Sequence, residues 1–444
     1  MNARVASLMF AVIFSIAAHA QVSAPNMVGN WQGTLPAGKG LRIVLQVTKT
    51  DTAGGQATFY SIDQSSDGIP ITSLTLQGTN CKFTIPEMGG AYEGTVSADG
   101  NSLQGTWTQN KNSDFEPFTT PSGPLNFQRA TPETAWPTDS SPHTTQFVVV
   151  DKDVKLEVLD WGGTGRPVVL LAGLTDTAHT FDKFAPKLTA TYHVYGITRR
   201  GFGASSAPVP ANDNYSADRL GDDVLAVLDA LKLNRPVLAG HSLAGEELSS
   251  IGSRHPERVA GSIYLDAAYP YAYYDRSHGD LTIDSFELKR KLGQLVWGTA
   301  SDPTALIQNL LQTDLPQLQR DLQERLKDMA AMPKAATATL AIPPMPAIAH
   351  AILDGQHKYT DIHVPVLAIL AIPHRFPPAV ANDPAERAKL EALDTVTNGR
   401  RADAFEKGIP SARVVRLPHA DHYIFQSNEA DVLREMNAFI ANLP

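Results

Sequence analysis

Pro236-Val237-Leu238-Ala239-Gly240-His241-Ser242-Leu243-Ala244-Gly245-Glu246-Glu247-Leu248-Ser249-Ser250-Ile251 is the stretch on which the reading of this chain turns. Its opening residues are apolar and uninterrupted, as a buried strand requires, and its closing residues read as a helix. Between them lies a sharp turn flanked by Gly240 and Gly245. Strand, tight turn and helix in that order expose a hydroxyl at the strand's C-terminal end, with the helix N-terminus behind it. In this context a serine becomes a nucleophile, so Ser242 is the first candidate site residue. Small residues are needed on both sides because neighbouring chains pass close. Ala244 stands where a Gly-x-Ser-x-Gly pattern would have its second glycine.

Working outward, strand-like and helix-like runs alternate from Phe147 to the C-terminus. Phe147–Asp151 and Lys155–Trp161 read as an opening hairpin. Pro167–Leu171, Val194–Thr198, Gly261–Asp266, Val364–Leu370 and Ser411–Leu417 read as strands, and Glu429–Asn442 as a closing helix. Leu220, Val224, Leu225, Leu228 and Leu231 share one helical face just ahead of the nucleophile strand. The expected class is α/β, an open and mostly parallel sheet. Helical periodicity at Leu306–Leu311 and Leu315–Met329 interrupts it, so a helical cap is expected over about 270–360. Such caps shape a pocket and exclude water.

The N-terminal part differs. Residues 1–20 read as a secretory signal: Arg4 supplies the positive region, Leu8 to Ala18 an apolar run too short to span a bilayer, and Ala18-His19-Ala20 the cleavage site. Export to a secreted or periplasmic location is expected. Residues 26–129 alternate with period two between Gly, Asp and Asn turns, which predicts an antiparallel barrel or sandwich. Trp31 and Trp107 are read as its core, and Cys81, the one cysteine, as buried and inert. Residues 130–146 are rich in Pro, Ser and Thr and read as a linker, leaving 147–444 as the second domain. The net charge of −9 gives no basic field for nucleic acid, and no later apolar run is long enough to span a membrane. Neither a metal nor a cofactor motif is present, so none is expected. Oligomeric state is left open.

Residues 147–444 resemble the α/β-hydrolase superfamily, of the serine esterase and lipase type with a helical cap. The resemblance rests on the Gly240–Gly245 elbow, on Arg200-Gly201-Phe202-Gly203-Ala204-Ser205, and on the terminal segment around His422. The β-rich part resembles modules placed before some bacterial secreted hydrolases. What the superfamily resemblance implies is a serine nucleophile, a histidine base and a carboxylate. His422, followed by Tyr423-Ile424-Phe425 and an acidic helix start, fits the base; His419 lies nearer the strand end and is read as a local hydrogen-bonding residue. His241 is read as packing, and His193 and His374 have no motif support. The acid is Asp266, at the strand end after the nucleophile helix, with Asp383 as the alternative. In many relatives the acid follows the strand after the cap, but Ala371–Pro378 holds no carboxylate. Leu243 and Leu174 supply the oxyanion N–H groups, and Asp176 shapes the pocket mouth.

The implied activity is cleavage of a small-molecule carboxylic ester through an acyl-enzyme on Ser242. Amidase, carbon–carbon hydrolase and perhydrolase chemistry remain open on the same elbow. A non-catalytic protein binding through the β-module is the alternative of another class. Dehalogenase and epoxide-hydrolase chemistry are disfavoured because both place an aspartate where Ser242 stands.

Overall fold

Period-two burial builds the N-terminal unit of the chain. In Asn80–Ile85 the side chains of Cys81, Phe83 and Ile85 point inward while their neighbours are exposed, as one strand with a single buried face must do. The computed structural model describes residues 25–35, 41–49, 55–62, 68–85, 89–109, 122–139, 141–211, 213–331, 347–376 and 383–444. The expected signal segment lies outside these residues. The chain divides into two compact units, 1–59 with 69–136, and 60–68 with 137–444.

The first unit contains β1 (Gly29–Leu35), β2 (Leu41–Lys49), β3 (Gly55–Ser61), β4 (Ile69–Gln77), β5 (Asn80–Ile85), β6 (Gly90–Val96), β7 (Ser102–Gln109), β8 (Gly123–Pro124) and β9 (Phe127–Arg129). Successive strands pair, β6 pairs with β7, and β9 bridges β7 to β1. The sheet therefore closes on itself as an eight-stranded barrel, with β8 a short addition on β7. Closure removes the exposed edges that a sandwich would leave. Trp31, Phe59, Phe83, Tyr92, Trp107 and Phe127 fill the interior and are fully buried. Phe59 stacks on Trp107 at 5.1 Å, and the Trp31 indole donates to the Met27 carbonyl at 2.8 Å. Both tryptophans are thus core residues. Burial pushes the Cys81 thiol up to about 12, so it carries little of the reactive thiolate.

The second unit is a mixed sheet of β10 (Thr144–Asp151), β11 (Val154–Gly162), β12 (Pro167–Leu171), β13 (His193–Ile197), β14 (Val237–His241), β15 (Gly261–Leu265), β16 (Val366–Ala371) and β17 (Ala412–Leu417). Their spatial order is β10-β11-β13-β12-β14-β15-β16-β17, antiparallel through β10, β11 and β13 and parallel from β13 onward. The central strands β14 and β15 are buried at every position, as a parallel sheet covered on both faces requires. Among the helices are α1 (Ala217–Ala230), α2 (Gly245–Arg254), α3 (Leu281–Val296), α4 (Pro303–Asn309), α5 (Leu315–Ala331), α6 (Ala347–Asp354), α7 (Pro384–Gly408), α8 (Ile424–Ser427) and α9 (Glu429–Ala441). The expected helical insertion is α3 to α6, between β15 and β16; a π-helical turn, Leu310–Asp314, joins α4 to α5 without a break.

Barrel packing leaves no room at Gly90, where an added Cβ would lie 2.2 Å from the Trp107 ring. Gly90→Ala should destabilise the barrel by about 1–3 kcal/mol through overpacking, read as a lower urea midpoint by tryptophan fluorescence. An unchanged midpoint would contradict the packing described.

Candidate active site

β14 ends at His241, and the 3-10 turn Ser242–Ala244 carries the chain directly into α2. Ser242 sits there at φ +51°, in the left-handed region that side chains avoid. The turn is tight enough to exclude side chains at its flanks. A Cβ on Gly245 would lie 2.3 Å from the Ala267 carbonyl oxygen, and one on Gly240 would press on Ala244 and Leu248. The Tyr271 hydroxyl lies near the Ser242 side chain.

The loop after β12 lies against the serine. A Cβ on Gly173 would sit 3.3 Å from the Ser242 Cβ and 3.1 Å from His241 Nδ1. Arg199, buried at the end of β13, fixes this loop by donating to the carbonyls of Gly173 at 2.9 Å and Ala172 at 2.8 Å. A trans peptide directs its C=O and N–H to opposite sides. With the Gly173 carbonyl held by Arg199, the Leu174 N–H points the other way. Arg199 is itself held by Glu247 of α2 through two bonds of 2.7 and 2.9 Å.

His422 follows β17, and its Nδ1–H donates to Asp266 Oδ2 at 2.6 Å. Asp266 is buried, at φ +46°, one residue beyond β15. Its Oδ1 accepts from the Ala371 N–H at 2.9 Å, and its Oδ2 also from His374 Nε2 at 2.8 Å and the Tyr269 hydroxyl at 3.3 Å. Burial opposes its charge, but the hydrogen bonds and charges of His374 and His422 hold its carboxyl well below the usual range. His241 is buried beneath His422, and its Nε2–H donates to the His422 carbonyl at 3.1 Å. Burial, with the neighbouring His422, pushes His241 down to about 3, so it is neutral.

The structure thus brings Asp266 to His422 and sets Leu174 on the loop facing Ser242. Asp383 is exposed and caps α7, accepting from the Ala385 N–H at 2.9 Å. His419 is exposed beside Glu391. Asp176 receives the Tyr423 hydroxyl at 3.2 Å.

His374 was not expected. It stands just beyond β16, in the stretch where a carboxylate is missing. It donates from both nitrogens, to Asp266 and to Asp394 of α7 at 3.0 Å. Burial works against its charge, but the two carboxylates outweigh it and raise it to about 10. The cluster therefore reads Asp394–His374–Asp266–His422, with a fixed cation between two anions. The sequence signal for it was the strand end itself, occupied by a histidine instead of an acid.

Residues 168–435 match the model of the alpha/beta hydrolase family, and the chain belongs to that family. It is similar to epoxide hydrolase A of Mycobacterium tuberculosis, 35% identical over 118 residues, which are 26% of this chain and 36% of that protein. A fluoroacetate dehalogenase of Burkholderia sp is 32% identical over 116 residues, 26% of this chain and 38% of that protein. The chain thus spans little more than a third of either relative. 2-(Acetamidomethylene)succinate hydrolase of Mesorhizobium japonicum is 21% identical over 282 residues, 63% of this chain and 89% of that protein. Among solved structures, a bromoperoxidase from Bacillus anthracis aligns with 67% of this chain and 100% of its own at 20% identity and a TM-score of 0.41.

Two outcomes follow. Glu247→Ala strands a buried guanidinium and should cost about 3–5 kcal/mol, read from urea unfolding. His374 gains its proton on folding, with a pKa raised from about 6.5 to about 10. Its contribution to stability is complete below about pH 6.5 and is lost as the pH rises through about 10. His374→Asn should therefore show a shallower decline of the urea midpoint between about pH 7 and pH 10 than the parent chain; parallel declines would refute the cation at His374.

Proposed function

We propose that the chain is a serine hydrolase that cleaves carboxylic esters through an acyl-enzyme on Ser242. The 2.6 Å bond between His422 Nδ1 and Asp266 carries this reading. It fixes the imidazole tautomer, leaving Nε2 without a proton and able to take one from a serine hydroxyl. Ser242 Oγ attacks the acyl carbon as its proton passes to His422. The Leu174 and Leu243 N–H groups receive the negative charge that develops on the carbonyl oxygen. His422 then protonates the departing alcohol. Water, deprotonated by His422, attacks the acyl-enzyme; the second oxyanion collapses, Ser242 regains its proton and the carboxylic acid leaves.

Esters are favoured over amides because their leaving groups need less activation. The serine argues against the aspartyl-ester chemistry of dehalogenases and epoxide hydrolases. Residues 1–20 support an exported enzyme, secreted or periplasmic.

The test is hydrolysis of p-nitrophenyl esters from acetate to palmitate. Ser242→Ala should abolish turnover and labelling by a fluorophosphonate. Asp266→Asn should lower kcat by about 10⁴-fold, as loss of the correct tautomer does elsewhere, while Asp383→Asn should leave kcat unchanged. No ester turnover and no labelling of the parent chain would overturn the proposal.

A further inference from the structure

Away from Ser242, four ligand-type side chains converge. Asp139 and His143 precede β10; His179 lies in the 3-10 turn Ala178–Phe181, and Asp182 is that turn's C-terminal cap. One ligand atom from each lies within 4.8 Å of all the others. His179 Nδ1 lies 3.0 Å from Asp182 Oδ2 and 3.7 Å from Asp139 Oδ2. His143 lies 3.2 Å from Asp139 Oδ2 through Nε2 and 3.5 Å from Asp182 Oδ1 through Nδ1. A tetrahedral zinc with N and O ligands at about 2.0–2.1 Å separates its ligand atoms by about 3.3 Å; with His143 binding through Nδ1, the separations that compare with this are 3.5 Å to Asp182 Oδ1 and 3.7 Å between His179 Nδ1 and Asp139 Oδ2.

Hydrogen bonding alone does not account for the cluster. The His143 side chain is only 5% exposed, and its Nδ1 makes no hydrogen bond although it faces the cluster. A buried ring nitrogen in that state costs free energy unless something binds it. His179 presents Nδ1 to the two aspartates while its Nε2 lies 3.8 Å from Glu157, a buried carboxylate that accepts from the Thr198 hydroxyl at 2.8 Å. A carboxylate behind an imidazole is the arrangement that orients metal-bound histidines. The segment is also anchored. The Trp161 indole donates to Ser141 Oγ at 2.7 Å, and that hydroxyl donates to the Asp182 carbonyl at 3.2 Å.

We propose that Asp139, His143, His179 and Asp182 form a site for one divalent transition-metal ion, zinc being the best fit. Two imidazoles with two carboxylates suit zinc and disfavour calcium and magnesium, which take oxygen ligands. Four protein ligands leave no coordination position open, so the ion is structural. Its place defines what it does. His179 and Asp182 follow directly on the Gly173–Thr177 loop that faces Ser242, so the ion ties residues 139–143 to the segment carrying that loop.

The test uses the full-length, tag-free chain, stripped with a chelator and titrated with Zn²⁺ against a chromophoric competitor. One Zn²⁺ should bind per chain and raise the melting temperature, with no response to Ca²⁺ or Mg²⁺. His143→Ala and Asp139→Asn, both checked for folding by circular dichroism, should lose stoichiometric binding. Glu157→Gln should weaken it by about 10–100-fold. Asp139 is the exposed member of the set, so its variant keeps the test valid if His143→Ala fails to fold. Absence of binding at micromolar Zn²⁺, or binding unchanged in folded Asp139→Asn, overturns the proposal. So does zinc lost only in His374→Asn, which would assign it to Asp266, His374 and His422, a second group of compatible spacing.

Discussion

The guanidinium of Arg199 is the point at which the working loops of the hydrolase unit are tied together. It is buried and spends its donors on the two carboxylate oxygens of Glu247 and on the carbonyls of Ala172 and Gly173. Three chain segments thereby become one rigid body: the end of β13, the loop after β12 and the helix behind the serine. A lysine would supply one point charge and no planar fork, so it could not hold all of them at once. The desolvation of such a pair is severe, and only its bidentate geometry and the two extra acceptors offset it. An adjacent pair, Arg200 with Asp223 at 2.6 Å, repeats the device on α1.

Sheet direction does the remaining assembly. Because β12 and β14 to β17 run parallel, all of their C-terminal ends emerge on one edge. Ser242, Asp266, His374 and His422 each sit at or just beyond such an end. His374 and His422 meet one carboxylate from 108 and 156 residues away. In open α/β sheets this edge is where ligands bind. His241 adds a brace that the strand ends do not provide, since its bond to the His422 carbonyl holds the β17 loop against the β14 end.

Legibility in the sequence followed how local each signal was. The elbow at Gly240–Gly245 is a contiguous strand, turn and helix, so it could be read directly. Asp266 and His422 could be singled out because each follows a recognisable strand, β15 and β17. The barrel strands were legible through period-two alternation, but the pairings that close the ring, β6 with β7 and β9 with β1, join residues far apart in sequence and leave no local trace. His374 escaped because its partners, Asp266 and Asp394, come from another strand and from α7. That helix was itself missed, and its capping residue Asp383 was left standing as a possible acid. The Asp139–His143 and His179–Asp182 pairs lie in irregular segments, where spacing alone says nothing about convergence. From Pro137 the expected linker already belongs to the second unit.

Ser242 and Asp266 both occupy left-handed backbone positions, at +51° and +46°. Such residues cost on the order of 1–3 kcal/mol each, against a net stability of roughly 5–15 kcal/mol for an ordinary domain. The geometry of these two residues is thus maintained against the preference of their own backbone, by the sheet on one side and the Arg199 pair on the other. This bears on evolvability. Substitutions that open a pocket to new substrates usually destabilise, and here they would draw on a reserve already partly committed to two strained residues. Lineages of this chain that acquire new substrates are therefore expected to carry compensating changes in distant parts of the sheet, laid down before the pocket itself was altered.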